Sequence, residues 1–359
     1  MGATKIIVNN AAYLQSAITA AASTDTTCIS IELTGPNVIN LTTPITIPSV
    51  LANGKKQLII EGNGVTIQPA TSSGLGTGVP LVQKLNSGIS NIGYSFIFRD
   101  INFNGRSSDG IGLLIDTANS NIIENCSFSY STDGLKLVSV LNTSVNNCSA
   151  FGINNYGFNI QTSSVVLTRC SFIGLNINNS VGYFFYESGG CSMYDCTGNT
   201  ANHYIVFDSN ANTSVNNFNV NNFSFDQWNS SAILLALSTG YAKLSGLNTM
   251  YGGSSSTSTL IRAYSSVTNY SNPHLYVENI PFMHNNVKFE TVGGIILGCT
   301  PAVPSDVVVW DFKEIYDGQN IFSATRWIGG YVPYYRYAEF FNESKKIITN
   351  SITVNGNPL

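Results

Sequence analysis

Between residues 98 and 220, apolar and polar positions recur every 22 to 26 residues. Six segments align: FRDINF (98–103), IENCSF (123–128), VNNCSA (145–150), LTRCSF (167–172), MYDCTG (193–198) and VNNFNV (215–220). Their fourth position reads Ile101, Cys126, Cys148, Cys170, Cys196 and Phe218, one apolar column. A second column runs through DGIGLLI, DGLKLV, YGFNI, VGYFFY and NHYIVF, where Gly110, Gly134, Gly157 and Gly182 open a short apolar strand and His203 takes the fifth place. The strands are separated by Asn, Gly, Ser and Asp, which tolerate turn and left-handed conformations. No helix fits between them, yet a period of this kind marks a stack of like units. A coil in which each turn lies on the last pairs every strand with its counterpart one repeat later. The pattern therefore predicts an all-β parallel β-helix, with rungs about 4.8 Å apart.

Successive side chains of a strand point to opposite faces, so the second column also assigns faces. Leu135, Phe158 and Tyr183 are predicted inward, with Leu137, Ile160 and Phe185. Lys136, Asn159 and Phe184 are predicted outward, followed by Val138, Gln161 and Tyr186.

The end rung of such a stack exposes core and unpaired backbone and needs a cap. AAYLQSAITAAA (11–22) sets Leu14, Ala17, Ile18 and Ala21 on one stripe, which predicts an amphipathic capping helix. PITIP and QLIIEGNGVTIQP read as the first strands and turns. Beyond about residue 270 prolines accumulate and the repeat fades, and YVPYYRYAEFF (331–341) is dense in aromatics. The expected organisation is 1–40 strand and capping helix, 41–270 β-helix, and 271–359 a distinct β-rich module for oligomerisation or attachment.

Composition narrows the partners. Only 10% of the 359 residues are charged and 43 are Asn, so the flanks are polar without being ionic. A net charge of -4 with no Lys/Arg run speaks against nucleic acid and against anionic lipid. No run is long enough to span a bilayer, and no export signal is visible at the N-terminus. Seven cysteines in a long chain do not read as the disulfide framework of a small secreted domain.

The order LQSAITAA, ISIELTGPNVINLTTPITIPS, LIIEGNGVTIQP resembles the opening of pectate-lyase-like right-handed β-helix proteins, especially those of phage tailspikes, fibres and capsule depolymerases. It covers residues 11–70 by motif and continues to about 230 by repeat. The resemblance implies a right-handed coil and a virion location. It does not choose between enzymes and inert shafts, since this superfold carries both.

The chemistry candidates are then weighed on that frame. Cys126, Cys148, Cys170 and Cys196 lack the paired CxxC spacing of a zinc site and read as a buried structural ladder, with no metal expected. Asp109 and Asp133 precede aligned glycines on adjacent rungs, which permits a carboxylate separation of about 5 Å, near that of a retaining glycosidase. Asp-Gly is equally ordinary turn chemistry. Glu187 and Asp208 form a second candidate pair beside Tyr186. The resemblance also implies catalytic motifs that this chain lacks: STDG (131–134) is the nearest to NTD, and neither a double Asp nor a glycine-flanked His occurs. Phe184 and Tyr186, with Ile205 and Phe207 near the equivalent outer positions, predict an exposed apolar strip, a mark of an interface. A neighbouring subunit or a sugar would cover it, and Trp327, Tyr334 and Tyr335 would serve either use. The expectation is a virion fibre, spike or appendage, homotrimeric, in contact with other virion proteins and binding host-surface polysaccharide, with no cofactor. The alternative is a polysaccharide lyase or glycoside hydrolase using Asp109 and Asp133 or Glu187 and Asp208.

Overall fold

A computed structural model of the chain describes residues 4–23, 28–34, 37–48, 57–86, 95–106, 110–175, 178–208, 216–237, 240–249, 259–265, 274–278, 288–292, 296–300, 308–316, 321–329, 353–354 and 357–358. They belong to two compact units that divide after Phe184.

In the first unit, Thr4–Val8, Cys28–Leu33, Gln57–Pro69, Ser95–Asn104, Ser127–Ser129, Ser149–Ile153 and Ser171–Gly174 lie side by side in one parallel sheet. Ile45–Ile47, Pro80–Lys84, Ile111–Asn119, Asp133–Leu141 and Tyr156–Gln161 form a second parallel sheet. Ser127 pairs with Ser149 and Ser149 with Ser171, so each strand meets its counterpart one repeat on, as a β-helix requires. The chain can turn between such short strands because a residue at the equivalent bend of each rung takes the left-handed conformation: Asp100, Asn125, Asn147 and Arg169 have φ of 53, 51, 49 and 51°. Each immediately precedes the column residue Ile101, Cys126, Cys148 or Cys170, all of them buried.

Inside the coil, side chains stack in rows. Phe103 lies on Phe128 with ring centroids 5.3 Å apart and planes within 8°, and Phe158 on Tyr183 at 5.0 Å and 4°. Such offset stacks add about 0.5–1.5 kcal/mol each beyond area burial. Leu135 faces Phe158 and Leu137 faces Ile160, all fully buried.

The glycine column begins at a different residue from the one predicted. Leu135 pairs with Leu113, which sets Gly134 beside Gly112 and not beside Gly110. A Cβ on Gly112 would stand 2.5 Å from the carbonyl oxygen of Gly134, and one on Gly134 would stand 2.6 Å from that of Gly157. Only glycine admits the next strand at that distance, and this close approach identifies the column more surely than the Asp-Gly dipeptide does.

The only helix among the described residues, Ala11–Ser23, closes this unit's first turn. Asn10 caps it, its Oδ1 accepting from the Tyr13 N–H at 2.9 Å. Leu14, Ala17, Ile18 and Ala21 are buried along one stripe. Gln15 does what a missing strand would do: its amide donates to the Thr46 carbonyl at 2.9 Å and accepts from the Thr46 N–H at 2.8 Å.

In the second unit, Cys191–Ala201, Asn216–Trp228, Gly240–Thr249, His274–Glu278 and Ile296–Thr300 form one parallel sheet. His203–Asp208, Ser231–Leu237, Thr259–Ser265, Lys288–Val292 and Val308–Tyr316 form the other. Parallel pairing thus runs past residue 270, and Val308–Tyr316 meets Ile321–Gly329 in antiparallel register.

Two column assignments change in this unit. Cys196 pairs with Phe223, while Phe218 pairs with Cys191. The segment VNNFNVNNFSF contains VNNF twice, and the second copy is the one in register. Its left-handed residue is Asn222, φ 57°, answering Asp195, φ 52°. In His203–Asp208 the buried residues are Tyr204, Ile205 and Phe207, so Tyr204 and not His203 stands where the other strands carry glycine.

Candidate functional site

The outer face of the first unit's second sheet carries its chemistry. Gln83, Leu114, Lys136 and Asn159 are consecutive register partners in one outward row; Asp116, Val138 and Gln161 form the next. Beside these rows Tyr156 and Phe184, both half-buried, stack with centroids 4.5 Å apart and planes at 25°. A fixed pair of rings of this kind offers a flat, preorganised apolar surface at the edge of a polar face.

Asp133 lies at the edge of the same face and is only 5% exposed. Its Oδ2 accepts from Asn159 Nδ2 at 2.9 Å and its Oδ1 from Asn155 Nδ2 at 3.5 Å. Burial pushes its carboxyl above the usual carboxylate range, opposed by the Asn159 hydrogen bond and the charge of Lys136. Burial, then the neighbouring Asp133 charge, likewise push the Tyr156 hydroxyl up. Asn159 faces outward as predicted, yet it is buried and held from both sides, its Oδ1 accepting from Gln161 Nε2 at 3.0 Å.

The rung alignment behind the first carboxylate pair changes. The register partners of Asp133 are Ile111 and Tyr156, because Gly112 heads the preceding rung. Asp109 itself lies outside the described residues.

A buried cation belongs to the core. Lys84 points inward in the row of Ile47 and Ile115, and its Nζ donates to the carbonyl oxygens of Asp116 and Thr117 at a left-handed bend. Burial lowers its pKa. Satisfying two orphan carbonyls makes it a structural cation.

In the second unit Tyr186 is outward and 37% exposed, beside the half-buried Glu187 and Asp208. The Glu187 N–H donates to the Asp208 carbonyl at 2.7 Å. The charge of Glu187 raises the Tyr186 hydroxyl pKa, with a smaller push from Asp208. Phe207 is not on this surface: it is 1% exposed and stacks on Phe218 at 4.7 Å, and Ile205 is buried with it. The predicted strip therefore breaks. Its cause is the one-residue shift at Tyr204, whose ring occupies the space above Gly198 and whose hydroxyl donates to the Gln227 carbonyl at 2.9 Å. A shift of one residue exchanges the two faces of a strand. Trp327 sits in the strand Ile321–Gly329 opposite Trp310, and Tyr334 and Tyr335 lie outside the described residues.

An apolar surface that the sequence reading missed lies on the first unit's other sheet. Phe151 and Ile173 are register partners and both exposed, Tyr130 meets the Phe151 ring edge-on at 5.5 Å, and Leu175 is exposed nearby in sequence. The signal was available, since the third residue after each column cysteine must face outward: Ser129, Phe151, Ile173.

The column cysteines Cys126, Cys148, Cys170 and Cys196 are buried free thiols. Each lies 3.3–3.5 Å from the carbonyl oxygen two residues before it. Hydrogen bonding with Cys126 and Cys170, and then burial, push the Cys148 thiol far above its usual range. Among the described residues no group of three His, Cys, Asp or Glu side chains converges as a metal site, and no helix is long and apolar enough to cross a membrane.

No protein-family model matches the sequence, and no curated protein is similar to it. Solved structures share the fold. ORF18 of Geobacillus virus E2 superposes with a TM-score of 0.56 at 15% identity, over 86% of this chain and 62% of that one. The gp42 tailspike of Acinetobacter phage vb_AbaP_AS12 gives 0.48 at 12% identity, over 91% and 59%. The gp49 tailspike of Pseudomonas phage LKA1 gives 0.38 at 11% identity, over 80% and 57%. The chain thus spans less than two thirds of the length of each of these.

Proposed function

We propose that the chain is a virion component of the spike or fibre type, which binds host-surface polysaccharide on the outer face of its β-helix. The Tyr156–Phe184 ring pair carries this reading. A sugar ring packs its C–H face on such a surface, and the surrounding Asn155, Gln161 and Asp133 supply the few polar partners that orient it. The fold held in common with a viral protein supports the location, and the uncharged flanks suit a neutral or weakly charged glycan.

A homotrimer fits the same reading. Phe151 and Ile173 offer an apolar row with an aliphatic member, better suited to a second copy of the chain than to a sugar. Residues 271–359 are the proposed oligomerisation or attachment module, through which other virion proteins would be met. The alternative, a polysaccharide lyase or glycoside hydrolase, finds less support at Asp133, whose register partner on the preceding rung is Ile111 and not a carboxylate. Retention of the chain on immobilised bacterial surface polysaccharides tests the binding reading.

A further inference from the structure

Lys136 and Asn159 are register partners on adjacent parallel strands, so their Cα atoms are about 4.8 Å apart and their side chains leave the same face. A lysine amine reaches a partner's side-chain carbonyl easily over that separation. Asn159 is 1% exposed, and its amide is held at both ends. Gln161 Nε2 donates to the carbonyl oxygen at 3.0 Å, which polarises Cγ; Asp133 Oδ2 receives the Nδ2 proton at 2.9 Å, which sets an acid–base group on the nitrogen that would leave. The Asp133 carboxyl is buried, shifted toward its protonated form, and near enough to Lys136 to feel its charge. A polarised amide and a proton carrier are buried together, and the half-buried Lys136 is the amide's neighbour in the same row, close enough for its charge to act on Asp133.

We propose that Lys136 and Asn159 join in an intramolecular isopeptide bond, with Asp133 moving the protons. The Lys136 ammonium passes a proton to the Asp133 carboxylate, and the neutral Nζ attacks Cγ of Asn159. The oxyanion formed at Oδ1 is held by the Gln161 N–H. Asp133 then protonates Nδ2, the Cγ–Nδ2 bond breaks, nitrogen leaves as ammonia, and Asp133 takes the surplus proton from Nζ. One amide replaces another, one ammonia is released, and nothing is oxidised or reduced. The product staples two successive turns of the coil covalently, at a point where strand pairing alone otherwise resists shear. This inference stands on Lys136, Asn159, Asp133 and Gln161; Asp133 and Gln161 also border the proposed sugar surface, but the bond forms without a glycan and is read as a mass.

The mass of the full chain, measured after unfolding, is expected one ammonia below that of the sequence. Trypsin is expected to leave residues 107–169 as a single peptide short of one ammonia, where an unlinked chain is cut after Lys136 into 107–136 and 137–169. Lys136→Arg keeps the charge but removes the nucleophile, and should restore the full mass in a chain that still unfolds cooperatively; Asp133→Asn should leave most of the chain unlinked. A full sequence mass with cleavage after Lys136 overturns the proposal. So does an ammonia loss that survives Lys136→Arg, which would mark a succinimide at asparagine.

Discussion

Asn147 donates from Nδ2 to Oδ1 of Asn125, one turn earlier in the coil, at 2.8 Å, and both residues hold φ near +50°. The tripeptide Asn-Cys-Ser recurs because the bend before the column needs a residue that accepts the left-handed conformation, and asparagine does so while bonding to its own copy. Asn147→Ala keeps neither property and is expected to cost about 1–2 kcal/mol. Asn147→Gly keeps the first and should cost less. Urea denaturation of the two variants separates the backbone effect from the lost hydrogen bond.

Gly134→Ala should be worse than any surface substitution. Its Cβ would stand 2.6 Å from the Gly157 carbonyl oxygen and 3.0 Å from Phe128 Cβ, and neither backbone nor core can retreat cheaply. A loss of about 1–3 kcal/mol is expected in the same assay.

The cysteine ladder should be chemically silent in the folded chain. Burial keeps reagent from Cys126, Cys148 and Cys170, and the raised pKa of Cys148 leaves it almost no thiolate, so alkylation of the three should be negligible in the folded chain at neutral and mildly alkaline pH and complete in denaturant. Mass spectrometry of iodoacetamide-treated protein reads this directly. Rapid native labelling of Cys148 would contradict its placement.

Asp133 should give stability a definite slope with pH. Its folded pKa is raised above the ordinary value of 3.8, so the folded state binds its proton more tightly than the unfolded chain does. That contribution is fully present below the ordinary carboxylate range and is lost as pH rises through the folded value. Asp133→Asn should flatten this part of the curve, read as unfolding midpoints between acid and neutral pH.

Much of the coil was legible in the sequence, and the misplaced columns share one cause. The cysteine column of the first unit pairs as its 22-residue spacing demands, and Leu135, Phe158, Leu137 and Ile160 turn inward as alternation requires. The errors are register errors. Gly110 competed with Gly112 in DGIGLLI, His203 with Tyr204, and the first VNNF with the second, and each choice rests on three-dimensional contact: a carbonyl against a glycine, or a ring in the space left by Gly198. Those slips removed Phe207 from the surface and made Ile111 the register partner of Asp133. The burial of Asn159 and its grip by Asp133 and Gln161 carry no sequence signal beyond outward alternation.

The ring pair can be tested most directly by binding. Wild-type chain and the Tyr156→Ala variant are passed over a panel of purified bacterial capsular and lipopolysaccharide O-chain glycans, with unfolding midpoints measured alongside. The wild type is expected to be retained by at least one glycan, and Tyr156→Ala to lose about 1–3 kcal/mol of affinity, of the order of one stacked ring, with its fold intact. Retention that is unchanged by Tyr156→Ala, or absent across the panel for the wild type, would contradict the account.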